Sequence, residues 1–144
     1  MKSIIYKFDP VIYPFPILVS KKFDSKELCE LFYAVNTDNE LQEATDDTFW
    51  PNRYTIARTV EVVSKKTHLK YFLILLVRPS VIGNGTITHE SLHATNMIAE
   101  ICGFLPEKAM HDEPQAYLAQ WIANCVGCTK AGRPGMMSGV LFEE

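Results

Sequence analysis

The stretch YTIARTVEVV (Tyr54 to Val63), the polar link Ser64-Lys65-Lys66-Thr67, and LKYFLILLV (Leu69 to Val77) decide how this chain is expected to fold. Both arms are dense in β-branched and aromatic residues, which pack well on a pleated surface. A short polar link between two such arms predicts an antiparallel hairpin packed behind whatever follows it. The basic residues from Lys65 to Lys70 then sit at a solvated hairpin tip.

Working outward, Asp24 followed by Glu27 is a capping-box pattern, and Leu28, Leu31, Phe32 and Val35 recur at helical spacing. An amphipathic helix over 25–37 is expected. Beyond the hairpin, Pro79, Gly83, Asn84 and Gly85 mark a loop. Thr86 can cap a helix running to about Cys102, which Gly103 and Pro106 stop. A second loop ends at His111. Asp112 with Gln115 again fits a capping box, with Pro114 tolerated in the first turn, and this helix should reach about Val126. The tail from Thr129 carries Gly132, Pro134, Gly135 and Gly139 and reads as irregular up to Val140-Leu141-Phe142.

The 144 residues, 47% of them apolar, suit one domain spanning 1–144. The formal charge is −3, from 14 Lys+Arg and 17 Asp+Glu, which argues against a nucleic-acid partner. Asp9, Pro10, Pro14 and Pro16 break any apolar signal-peptide core near the N-terminus, and the apolar run Tyr71 to Val77 is too short to span a bilayer. A cytoplasmic protein without a membrane partner is expected. The four cysteines, Cys29, Cys102, Cys125 and Cys128, are too scattered for a disulfide framework, so reduced thiols follow.

The chemistry is concentrated in Thr88-His89-Glu90-Ser91-Leu92-His93. Histidines four apart lie on one helix face and can reach a single metal ion, which is the physical content of an HExxH spacing. At about 100° per residue, His89, His93, Asn96 and Glu100 gather on one side, and Ile87, Ala94, Ile98 and Ile101 on the packing side. Glu90, next to the first ligand, stands where a general base can take a proton from a zinc-bound water. Catalytic zinc needs a third protein ligand. Glu113, 20 residues after His93 at the start of the next helix, is the candidate, with His111 and Asp112 as competitors and Asn96 or Glu100 able to fix a histidine tautomer.

HESLH followed by Glu113 resembles the gluzincin arrangement of zinc metallopeptidases, and HESLHA with DEPQAYL (112–118) is similar to small zincin-like proteins of bacterial and phage genomes. The resemblance implies an α+β zincin-like fold: an N-terminal helix, a small antiparallel sheet with an edge strand for an extended peptide, the HExxH helix, then a glutamate-bearing helix. It implies His89, His93 and Glu113 as Zn2+ ligands, Glu90 as base, and hydrolysis of a peptide or protein substrate. Such enzymes also use a Tyr or His to stabilise the oxyanion, for which Tyr117 and His111 are candidates. An alternative is a zincin-like protein that keeps the metal and serves as a binding or assembly module. A further idea is that Val140 to Phe142 folds back over the metal. Cys125-Val126-Gly127-Cys128 is a lone CxxC and reads as a packed Cys125 with Cys128 nearby, while Leu118, Trp121, Ile122 and Val126 read as core.

Overall fold

The computed structural model describes residues 2–104 and 111–143. In chain order the strands are β1 (Ile4–Phe8), β2 (Ile17–Lys22), β3 (Phe32–Val35), β4 (Leu41–Glu43), β5 (Ala57–Ser64), β6 (Lys70–Leu76) and β7 (Val140–Leu141). The helices are α1 (Ser25–Leu31), α2 (Asp46–Phe49), α3 (Asn84–Cys102) and α4 (Glu113–Lys130). All seven strands join one sheet in the order β4-β3-β5-β6-β2-β1-β7. The β2–β6 pair is parallel and the others are antiparallel.

β6 explains this layout. Its apolar run cannot be served by one face, and alternate residues enter two cores. Phe72, Ile74 and Leu76 pack with Ala94 and Ile98 of α3 and Leu118, Ile122 and Val126 of α4. Tyr71, Leu73 and Leu75 pack with Leu28 of α1, Phe32 of β3 and Phe49 at the end of α2. A strand covered on both sides reads as a continuous apolar run rather than an alternating one. Each such side chain contributes about 1.5–3 kcal/mol on burial.

The expected zincin-like order, a helix at the N-terminus and then a small antiparallel sheet, is corrected here. Two strands precede the first helix, the sheet is seven-stranded and mixed, and the two long helices follow it. Pro10, Pro14 and Pro16 mask β1 and β2 in the sequence, yet all three fall in the connection between those strands. The parallel docking of β2 on β6 pairs Ile17 with Phe72 across a long sequence separation, which local pattern does not reveal.

The helix expected over 25–37 stops at Leu31. Phe32 and Val35 suit a helical period, but Phe32 and Ala34 also suit a strand, and the pairing of Phe32, Tyr33 and Ala34 with Ser64, Val63 and Val62 decides for the strand. Asp24 does cap α1, accepting from the Lys26 N–H at 3.1 Å. Glu27 does not close the box: its carboxylate accepts from the Ser3 N–H at 3.2 Å and ties the start of the chain to α1. Similarly, α3 starts before Thr86, with Gly83 as N-cap, and Gln115 leaves the Asp112 cap for a partner on α3. Gly103, at φ 76°, ends α3 in the left-handed conformation that glycine favours. Pro106, the other expected stop, lies outside the described residues.

The tail does not fold over α3. β7 pairs with β1 through Tyr6 opposite Leu141, four strand positions from β5, a span of about 19 Å at the usual strand spacing. Gly139 brings this tail against Phe8, where an added Cβ would lie 2.5 Å from the ring. Lys65 at the β5–β6 turn pairs with Glu43 at 2.5 Å, and Lys70 with Glu61 at 2.7 Å.

The two-sided burial of β6 is checked by urea unfolding. Leu73→Ala and Ile74→Ala, on opposite faces, should each cost about 2–5 kcal/mol, whereas exposed Leu41→Ala on β4 should stay within about 0.5 kcal/mol. A loss confined to one of the two β6 variants would show that only one face carries a core.

Candidate metal centre

Packing on the sheet determines which way α3 faces. Glu90, Ser91, Ala94, Thr95, Ile98 and Ala99 are buried and Ile87 packs half-buried against the same core, as expected of the packing side, whereas Ile101 is exposed. The buried hydroxyl of Thr95 is satisfied within the helix, donating to the Ser91 carbonyl at 2.7 Å. His89, His93, Asn96 and Glu100 are left facing solvent.

The two imidazoles converge. His89 Nε2 and His93 Nε2 are 3.1 Å apart, with ring planes at 82°. Two nitrogens bound to one zinc in tetrahedral array, each about 2.0–2.1 Å from it, stand about 3.3 Å apart. The spacing also suits a hydrogen bond between two neutral rings, so the neighbouring charge becomes the deciding feature. His89, Glu90 and His93 form a group whose ligand atoms all lie within 4.8 Å of one another, and among the described residues it is the cluster of this kind able to hold a metal ion.

Glu90 supplies that charge. Its side chain is only 6% exposed, and Oε2 is 4.0 Å from His89 Nε2. The Thr59 hydroxyl of β5 stands 3.2 Å from both the Glu90 carbonyl and Oε1, and its one hydrogen can serve only one of them at a time. A carboxylate withdrawn from water costs several kcal/mol unless a positive charge or several donors offset it. No Lys or Arg pairs with Glu90 among the described residues. A divalent cation between the two Nε2 atoms would provide the missing charge, and two imidazoles with a carboxylate are ligands that suit zinc.

The remaining sequence candidates lie outside this cluster. Glu113 is exposed at the first residue of α4 and is not among the converging groups. Its helix is nonetheless fastened to α3 close by: Gln115 Nε2 donates to Asn96 Oδ1 at 2.5 Å, one helical turn beyond His93. Asn96 therefore holds α4 and not a histidine. His111, Asp112 and Glu100 are exposed and outside the cluster as well. Tyr117 is 68% exposed and lines a separate apolar cavity with Pro10, Ile12, Tyr13, Pro114, Leu118 and Trp121.

Two contributors had no motif. Thr59 falls on the same face of β5 as Ala57 and Glu61, and only the docking of α3 reveals its partner. Tyr54 precedes the strand and lines an open groove of about 420 Å³ with Ile56, Ala57, Gly85, Thr86, His89 and Glu90. The strand beside this groove is half free among the described residues: β3 pairs with β5 through Val62–Ser64, and Ala57–Glu61 have a described ladder partner on the β6 side alone.

No protein family, curated protein or solved structure matches this chain. Among the described residues no helix is long and apolar enough to cross a membrane.

The cysteines take no part in the centre. All four are free, and Cys125 is fully buried in the core beneath α4, with Cys128 half-buried. Burial, and secondarily Cys128, pushes the Cys125 thiol up to about 12. At pH 8 a maleimide or iodoacetamide should therefore label exposed Cys102 while Cys125 reacts only after unfolding. Because the unfolded thiol ionises near 9 and the folded one near 12, this group's contribution to stability is complete below pH 9 and declines as pH rises from there. Rapid labelling of Cys125 in the folded protein would contradict its placement.

Proposed function

We propose that this protein is a zinc-dependent peptide-bond hydrolase in which His89 and His93 hold the metal and Glu90 acts as general base. The observation that carries the reading is a 3.1 Å Nε2–Nε2 approach beside a buried carboxylate with no Lys or Arg partner among the described residues. Glu113, exposed at the start of α4 and outside the cluster, would complete the ligand set only by leaving that position. The gluzincin resemblance thus rests on His89, Glu90 and His93 of α3 and not on the sheet.

Zinc in this position would polarise a carbonyl and acidify a bound water. Glu90 would serve as the base that accepts a proton from the attacking water and as the acid that returns one to the departing amine. Burial beside Thr59 fixes the carboxylate for both transfers. The free half of β5 suits an extended peptide, because unpaired strand backbone accepts an added strand through main-chain hydrogen bonds. A peptide laid there would run along the groove lined by His89 and Glu90.

The wild-type protein should bind one zinc per chain, and His93→Ala should lose it. Glu90→Gln should retain the metal and lose about 10²–10⁴-fold in turnover on a mixed peptide library. Equal turnover by wild type and Glu90→Gln would remove Glu90 from the reaction.

The position of Glu113 outside the cluster favours a second reading. In it, Glu90 itself is the third ligand, no base remains, and the protein is a metal-stabilised binding or assembly module. Zinc loss in Glu90→Gln, with no cleavage of the library by wild type, would establish this reading over the first.

A further inference from the structure

We propose that the apolar cavity between the β1–β2 connection and α4 docks a proline-rich segment of a partner protein, held in the extended polyproline II conformation and flanked by a basic residue. No residue of the metal centre lines this cavity, so the segment binds whether or not zinc is present.

Two elements wall the cavity. Pro114, Tyr117 and Trp121 recur three and four residues apart along one side of α4, and Pro10, Ile12 and Tyr13 come from the connection. Tyr13 is anchored by stacking on Phe104, with ring centroids 5.1 Å apart. The turn before it is strained. Val11 sits at φ 66°, a region that β-branched residues avoid, and the Ile12 N–H donates to the Pro10 carbonyl at 2.7 Å to close a γ-turn around it. Core packing does not call for this conformation, because Val11 is 85% and Ile12 78% exposed. Strain of this kind concentrates where a protein grips a ligand. The volume is about 280 Å³, smaller than pockets of about 300–1,000 Å³ that enclose a whole small molecule, and it suits a few residues of an extended chain.

The chemistry of the lining selects the occupant. Proline has no N–H to give, and in polyproline II the carbonyls are unpaired, so such a segment offers acceptors and apolar rings with few donors. The cavity offers the reverse. The hydroxyls of Tyr13 and Tyr117 and the ring N–H of Trp121 have no intramolecular partner among the described residues, and all three rings line the cavity. Aromatic faces that carry a polar end are the means by which grooves take prolines. Charge at the rim adds the flanking residue. The Asp9 carboxylate accepts from the Val11 N–H at 2.8 Å within the strained turn, and Asp112 and Glu113 directly precede Pro114. All three acids are exposed, and no Lys or Arg pairs with them among the described residues. A basic residue beside the prolines complements that charge.

The test is fluorescence anisotropy of the full chain with a labelled peptide, Arg-Pro-Leu-Pro-Pro-Leu-Pro, with and without zinc. Wild type should bind it saturably and with the same affinity in both conditions. A peptide with every proline replaced by alanine should bind about tenfold more weakly. Tyr117→Ala, at an exposed position that leaves the urea midpoint unchanged, should cost about tenfold in affinity. Tyr117→Phe and Trp121→Phe, which keep the rings and remove one donor each, should cost about 2–10-fold. The double variant Asp9→Asn with Asp112→Asn should cost about 2–5-fold and flatten the dependence on salt. Equal affinity for the alanine peptide, unchanged affinity in Tyr117→Ala, or no saturable binding below about 1 mM would overturn the proposal. Sedimentation that finds a dimer dissociated by Tyr117→Ala would assign the cavity to a second copy and overturn it as well. So would pelleting with phosphatidylcholine vesicles that Ile12→Ser abolishes, which would assign the patch to a lipid surface.

Discussion

The burial of β6 on both faces is the constraint from which the rest of the structure follows. Tyr71, Leu73 and Leu75 require a cover of α1, α2 and β3, while Phe72, Ile74 and Leu76 require the helical layer of α3 and α4. Neither cover is optional, because six large apolar side chains on one strand would otherwise face water. Satisfying the second face fixes the rotation of α3 about its axis. That rotation sends Ala94 and Ile98 inward, points His89 and His93 outward, and leaves Glu90 at the boundary beside Thr59.

The candidate centre therefore derives from core packing. A carboxylate at the edge of a hydrophobic layer is expensive by itself, and two imidazoles aimed at one point beside it form a complementary arrangement. The same β5 strand that supplies Thr59 has Ala57–Glu61 without a second ladder partner among the described residues, so the element that supports the carboxylate also borders the groove. Arg78 at the end of β6 extends this scaffold to the loop of Tyr54. A rigid support of this kind suits a site in which a displacement of about an ångström is costly.

Local chemistry made part of this visible in the sequence. The β-branched arms on either side of Ser64–Thr67 marked β5 and β6, and the spacing of His89 and His93 marked the face of α3 that meets solvent. Long-range pairing hid the rest. Ile17 meets Phe72 in parallel, Tyr6 meets Leu141 at the sheet edge, and Phe32 leaves a helical pattern because Ser64 is opposite it. Each depends on segments far apart in the chain, and the prolines between β1 and β2 disguised two good strands as a broken stretch. Glu113 was legible as a first-turn acid, but its separation from the histidines depends on how α4 is hung from Asn96. Thr59 and Tyr54 gained meaning only once α3 was docked.

X-ray absorption of the zinc-loaded protein, compared with His89→Ala and His93→Ala, addresses the metal centre most directly. The account predicts one zinc with two imidazoles at about 2.0–2.1 Å, the remaining scatterers oxygen, no sulfur, and loss of one imidazole shell or of the metal in each variant. Sulfur in the first shell, or a wild-type spectrum unchanged in both histidine variants, would contradict it.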